Sequence, residues 1–174
     1  MSNIVTVRTS TGIIIAIAAS VLSTIRKYSA PTERATEAGG IFIGGYRSRH
    51  IEIVSCTTPM PNDARRRFSF DRSDLRHQAA ALAAWKESGH TLTFVGEWHS
   101  HPEAVPSPSW LDRRTWTKVM KRQPAFPYFF MIQGWEAAWC AVGLRGQLLR
   151  VEMETRNPVT VQSPIATRAA NASP

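Results

Sequence analysis

The run Leu92–His99 is largely apolar, with Gly89 before it and a Pro-rich loop after it. Such a run reads as a central strand covered on both faces, so the chain needs packed layers above and below it. The run ends in His99-Ser100-His101, and a helix is expected from Pro108 to about Lys121. Strand-like and helix-like segments alternate elsewhere. Ile4–Val7 and Gly12–Ile17 read as strands, and Ala18–Tyr28 as a helix with Val21, Leu22, Ile25 and Tyr28 on one face. Gly39–Arg47 and His50–Thr57 read as a β-hairpin turning at Arg47–Arg49. A Pro-, Asn- and Arg-rich loop then leads to a short strand, Arg67–Phe70. Ser73–Ser88 is the clearest helix, with Ser73 as N-cap and Leu75, Ala79, Leu82 and Trp85 as its stripe. Tyr128–Gln133, Ala137–Val142 and Gln147–Met153 are three more strands. The expected class is α/β (α+β), one mixed sheet sandwiched by helices. Residues 1–156 form a single domain, and 157–174, rich in Thr, Ser, Pro and Ala, read as a disordered tail.

Lys and Arg number 21 against 13 Asp and Glu, a formal charge of +8. A soluble basic surface is the preferred reading of that excess, and a nucleic-acid site the less favoured one. Cys56 and Cys140 are too few and too far apart for a disulfide framework or a Cys-rich metal site. They read as small buried hydrophobes in a reducing cytoplasm. Ile13–Leu22 superficially resembles a signal peptide, but only Arg8 precedes it as a charge and it is too short to span a bilayer. A strand running into a helix accounts for it better, with no membrane role.

The chemistry is concentrated in His99-x-His101-x7-Ser109-x2-Asp112. At a strand end, residues i and i+2 share a face, so two imidazoles can stand side by side. Residues i and i+3 are neighbours on a helix, which lets Ser109 and Asp112 share a face. Ser107 suits the N-cap and Pro108 the first helical position, placing Ser109 in the first turn. Two His and one carboxylate leave a fourth position open, the pattern of a catalytic rather than a structural zinc. A hydrolase also needs a carboxylate near the attacking water. Glu97, two residues before His99 on the same face, is one candidate, as base, ligand, or partner of an imidazole or an Arg. Glu103 reads as a rim residue.

This motif, with Pro102 after the second histidine, resembles the signature of the JAMM (MPN-plus, Prok-JAB) metalloproteases over its full length. The resemblance covers roughly residues 12 to 153. It implies a cytidine-deaminase-like MPN/JAB fold and one catalytic Zn2+ on His99, His101 and Asp112. In that family the base is an upstream Glu before a Gly-rich strand. Glu37-Ala-Gly-Gly-Ile-Phe-Ile-Gly44 looks like that element, so the resemblance makes Glu37 the base and Ser109 a donor to the oxyanion. Glu97 is the alternative base, and Glu33 is a poor one because no Gly-rich strand follows it. The wording Gly-Glu-Trp-His-Ser-His-Pro-Glu is similar to that of small bacterial members, including those of type II CBASS anti-phage operons. The implied activity is isopeptide or peptide hydrolysis after the C-terminus of a ubiquitin-like or conjugated protein. A nucleotidyltransferase and an E1/E2-like transferase are the implied partners. Release of a sulfur-carrier protein, processing of a ubiquitin-like precursor, and a nucleic-acid-associated JAB-domain protein are the alternatives. Trp98, Trp110 and Trp116 are read as groove or core residues, and Arg65-Arg66-Arg67 as a solvated loop, the alternative being the loop that contacts the ubiquitin-like partner in JAMM relatives.

Overall fold

The computed structural model describes residues 3–32 and 35–151; the expected tail and the last residues of the final strand lie outside them, as does Glu33. The elements in chain order are β1 (Ile4–Arg8), β2 (Ile14–Ala18), α1 (Ala19–Arg26), β3 (Gly39–Arg47), β4 (His50–Cys56), β5 (Ala64–Arg66) and β6 (Ser69–Asp71). There follow α2 (Arg76–Glu87), β7 (Thr93–Ser100), α3 (Trp110–Arg122), β8 (Tyr128–Gln133), β9 (Ala138–Leu144) and β10 (Gln147–Val151). Eight strands form one mixed sheet in the order β1-β2-β4-β3-β7-β8-β9-β10. β2 pairs with β4, and β7 with β8, in parallel; the other neighbours are antiparallel. Strand β7 is therefore central, as its apolar run requires.

β8 shows why helices must lie on both faces. Phe129 and Met131 enter one core with Val21, Leu22 and Ile25 of α1. Tyr128, Phe130 and Ile132 alternate with them and enter a second core with Trp116, Val119 and Met120 of α3. Trp116 stacks between Phe130 and Trp139. Among the described residues, no helix is long and apolar enough to cross a membrane. The signal-like run Ile13–Leu22 is β2 running into α1.

Three local expectations are corrected. The short strand Arg67–Phe70 is instead a two-stranded hairpin, β5 with β6, pairing Ala64 with Asp71 and Arg66 with Ser69. Ser73 does not cap α2, which begins at Arg76; the Ser73 hydroxyl donates to the Asn62 carbonyl, and the Asp74 carboxylate accepts from Arg76 N–H. The apolar stripe of α2 faces outward, with Leu75 78%, Leu82 50% and Trp85 39% exposed. Its inner face carries the half-buried Ala80, Ala81 and Ala84. Short side chains there let the helix lie close over β3 and β7. The anchor is polar: buried His77 meets Thr57 Oγ1 at 2.6 Å through Nδ1 and Asp63 Oδ2 at 2.8 Å through Nε2. The Asp63 carboxylate can only accept, so Nε2 carries the proton and donates to it, and in the neutral ring Nδ1 accepts from the Thr57 hydroxyl, which itself accepts from Ile41 N–H.

One irregularity decides the site. The pairing of β3 with β7 steps from Phe42 opposite Gly96 to Ile43 opposite Phe94, leaving Val95 as an extra residue. This β-bulge shifts the alternation by one. Phe94 packs against the α3-side core, Val95 and Trp98 lie in the α1-side core, and His99 reaches Trp116 of α3. Gly96 makes the bulge possible: its φ is 146°, and a Cβ there would stand 1.9 Å from the Phe129 carbonyl oxygen.

Candidate metal centre and cleft

The end of β7 and the start of α3 converge as the spacing predicts, with the cap moved. Ser109, not Ser107, is the N-cap, so Pro108 lies before the helix. Asp112 is then the third helical residue and completes a capping box: Ser109 Oγ accepts from Asp112 N–H, while Asp112 Oδ2 accepts from the Ser109 N–H and hydroxyl, each at 2.7 Å. The cap that starts α3 thereby also fixes the carboxylate toward the histidines. Burial opposes ionisation of Asp112, but hydrogen bonds from His101, His99 and Ser109 outweigh it and hold the carboxyl well below its ordinary value.

His99, His101 and Asp112 form a potential metal-holding group with ligand atoms within 4.8 Å of one another. The two Nε2 atoms are 3.0 Å apart, His99 Nε2 is 3.1 Å from Asp112 Oδ1, and His101 Nε2 is 3.5 Å from Oδ2. Donors at zinc-ligand distances around a tetrahedral centre are about 3.3 Å apart. The donor set therefore fits a tetrahedral divalent ion in type and spacing. Two imidazole nitrogens facing each other at 3.0 Å without a shared cation would leave an acceptor against an acceptor, or a donor against a donor, unless they shared one proton.

Glu37 arrives from the other side of the sheet order. β3 pairs with β7 with Gly39 opposite His99. Ala38 continues that register by exchanging hydrogen bonds with Ser100: its N–H donates to Ser100 Oγ, and Ser100 N–H donates to its carbonyl. Glu37 thus stands opposite His101, and Oε1 lies 3.8 Å from His101 Nε2. Burial is the main reason its carboxyl is raised to about 7; Asp112 and Glu103 add to the rise and His101 opposes it. The imidazole of His101 is raised despite its burial, by the Asp112 hydrogen bond and the negative charges of Glu37, Asp112 and Glu103.

The expected solvated Arg loop does more than meet water. Glu37 N–H donates to the Arg66 carbonyl at 2.8 Å, and Arg65 Nε donates to the Glu37 carbonyl at 3.0 Å. The β5–β6 hairpin therefore grips the main chain of Glu37 on both sides. Gly39 permits that approach, since a Cβ there would meet the Phe70 ring at 2.6 Å. Hairpin and α3 enclose a cleft of about 610 Å³ whose floor holds Glu37, His99, His101 and Asp112. Glu97 lines the same cleft but is outside the metal group; its partner is Arg72, in the loop directly after β6, 2.8 Å away. Glu103 is a rim residue, half exposed and 3.8 Å from His101 Nδ1. Trp98 and Trp116 are core, while Trp110 is 70% exposed beside the cleft. Cys56 and Cys140 are unpaired; Cys140 is buried as expected, whereas Cys56 is only half-buried. The contacts of Arg65 with Glu37 and of Arg72 with Glu97 are not legible in the sequence, because no spacing rule links a loop arginine to a segment tens of residues away.

The model for prokaryotic homologs of the JAB domain matches residues 18–145. The chain belongs to this family. It is a hydrolase of the JAMM type. A CD-NTase/cGAS isopeptidase of Pseudomonas aeruginosa is 38% identical over 69% of this chain and 77% of its own length. A second protein of that name, from Escherichia coli, is 28% identical over 79% of this chain and 87% of its own. A probable metalloprotease of Sinorhizobium fredii is 27% identical over 75% of this chain and 83% of its own. The solution structure of protein DSY2949 from Desulfitobacterium hafniense shares the fold, with a TM-score of 0.56, 18% identity, and 79% and 90% of the two chains covered. The mixed sheet between helices expected from the sequence is thus the JAB architecture.

Proposed function

We propose that this JAB-family chain is a zinc-dependent isopeptidase that hydrolyses the bond joining the C-terminus of a conjugated protein to an amine, with a CD-NTase as the conjugated protein. An E1/E2-like transferase would make the conjugate, and the cytoplasm would keep Cys56 and Cys140 as thiols. The observation that carries the reading is Glu37 beside the three-residue metal group on the floor of one cleft. The names and identities of the relatives support the substrate class.

His99, His101 and Asp112 would hold the ion. When bound, zinc supplies a Lewis acid that polarises the scissile carbonyl and acidifies water. Glu37 takes a proton from the attacking water as oxygen adds to the carbonyl carbon. A carboxyl held beside the attacking water can both take that proton and return it. Ser109, the N-cap of α3, turns its hydroxyl from Asp112 to the oxyanion. When the C–N bond breaks, Glu37 gives its proton to the leaving amine, and a carboxylate and an amine result. The β5–β6 hairpin holds Glu37 at its backbone through these steps.

The deciding experiment incubates the zinc-loaded protein with a CD-NTase whose C-terminus is joined to a lysine of a second protein. Release of both intact proteins is expected, with loss of cleavage on chelation and recovery with zinc. An uncut conjugate in the presence of stoichiometric zinc rules out this substrate.

A further inference from the structure

The cleft contains an ion pair that the proposed chemistry does not use. Glu97 is only 6% exposed, and its Oε2 accepts no hydrogen bond. Arg72 NH1 lies 2.8 Å from that oxygen, so the guanidinium meets it as a charge without a bidentate fork. A buried carboxylate compensated this incompletely is costly. The Val95 bulge nevertheless turns Glu97 to the same face as His99, into the cleft. Arg72 also lines the cleft, and its side chain keeps 26% of its exposure. Among the described residues its remaining N–H groups have no hydrogen-bond partner and can meet an acceptor there.

The spacing says which acceptor. A strand rises about 3.3 Å per residue, so Glu97 lies about 7 Å, one dipeptide, along β7 from His99. An extended substrate tail has the same repeat, and its carbonyls at i and i+2 point the same way. With the scissile carbonyl at His99, His101 and Asp112 and the tail laid parallel to β7, the carbonyl two residues earlier in the tail would come level with Glu97 and face Arg72. We propose that Arg72 binds this main-chain carbonyl, the third from the tail's C-terminus, and that Glu97 is a positioning residue that holds Arg72 in place. The subsite selects an extended tail through its backbone, irrespective of the side chain at that position. This inference rests on the reading of the cleft as an isopeptidase site.

The test uses the zinc-loaded full chain with two probes: the CD-NTase conjugate above, and a library of octapeptides carried as C-terminal aminomethylcoumarin amides. Arg72→Ala is expected to raise KM about tenfold on both probes while kcat stays within about twofold. Glu97→Ala gives the same loss, and the double variant is no worse than either single one. Arg72→Lys, which keeps the charge but not the fork, falls between wild type and Arg72→Ala. Bound zinc is unchanged throughout. A lower melting temperature with unchanged KM would make the pair a mere latch and overturn the proposal. So would a fall in bound zinc in Glu97→Ala, or a KM effect confined to the protein conjugate, which would put Arg72 on the leaving-group side. Wild-type cleavage of the peptides but not of the conjugate removes the CD-NTase substrate and leaves the subsite to the peptide data. Inertness on both probes ends both readings.

Discussion

The two walls of the cleft are built by opposite means. One is the end of β7 with the first turn of α3, where a continuous buried strand and a capping box place the histidines and Asp112 within a 14-residue stretch. The other is the β5–β6 hairpin, made of three-residue strands; α2, which follows it outside the cleft, turns its apolar stripe outward. Arg65, Arg72 and the Thr57–His77–Asp63 chain hold hairpin and helix to the sheet. Extensive apolar burial makes the first wall rigid by packing. The second depends on a few directional contacts at the surface, each open to competition from water. The three potential metal-holding residues therefore sit on the packed wall, and the hairpin is the wall better able to adjust.

That contrast can be broken or sharpened by measurement. The largest effect is expected on the packed wall: His99→Ala or Asp112→Ala should lose the bound ion and lower cleavage by more than about a thousandfold, read by metal analysis and kinetics on the conjugate. Retention of stoichiometric zinc in either variant would remove that residue from the site. Glu37→Gln should keep the ion and still lose about 10²–10⁴ in kcat. An active Glu37→Gln protein transfers the base role elsewhere, with Glu97 the next to test.

The same variant reports on burial. In the metal-free protein the Glu37 carboxyl is raised from 4.5 to about 7, chiefly by burial, so the folded chain binds this proton more tightly than the unfolded chain. Its stability contribution is full below about pH 4.5 and is lost as pH rises through about 7. Glu37→Gln should therefore stabilise the metal-free protein more at pH 8 than at pH 4, by on the order of 2 kcal/mol, measured by denaturant titration. An equal effect at both values would mean the carboxyl is not buried in solution.

The adjustable wall should respond more mildly. Arg65→Ala removes one of the two main-chain grips on Glu37 and should lower kcat about tenfold with bound zinc unchanged. No change in kcat would show that the Arg66 carbonyl suffices. The smallest effect is expected at Leu82, whose exposed position on α2 should make Leu82→Ala worth less than about 0.5 kcal/mol by thermal or urea unfolding. A cost of about 2 kcal/mol or more would show the α2 stripe to be packed after all.

The outward stripe of α2 shows where periodicity misleads. Leu75, Leu82 and Trp85 recur at helical spacing, yet the face against the sheet is the alanine face, because His77 needs to reach Thr57 and Asp63 at short range. A single buried polar residue set the rotation of the helix, and no apolar count contains that information. The cap of α3 is a smaller case of the same kind. Ser107 and Ser109 are both good N-cap residues by type, and reciprocal bonding with Asp112 selects the second.

By itself the sequence determined the class of fold, the central place of β7, and the identity of the three residues that can hold a metal. These follow from local spacing: period two along a strand, and neighbours three apart on a helix. The resemblance of the motif to JAMM proteins added Glu37, whose position beside His101 comes from the register of β3 against β7. Only the tertiary structure decided which face of β7 the histidines occupy. Simple alternation would put His99 and Phe94 on opposite sides of the sheet, and the extra residue at Val95 brings both to the side of α3. It also brought Arg65 to Glu37 and Arg72 to Glu97, contacts between segments distant in sequence that no local periodicity encodes.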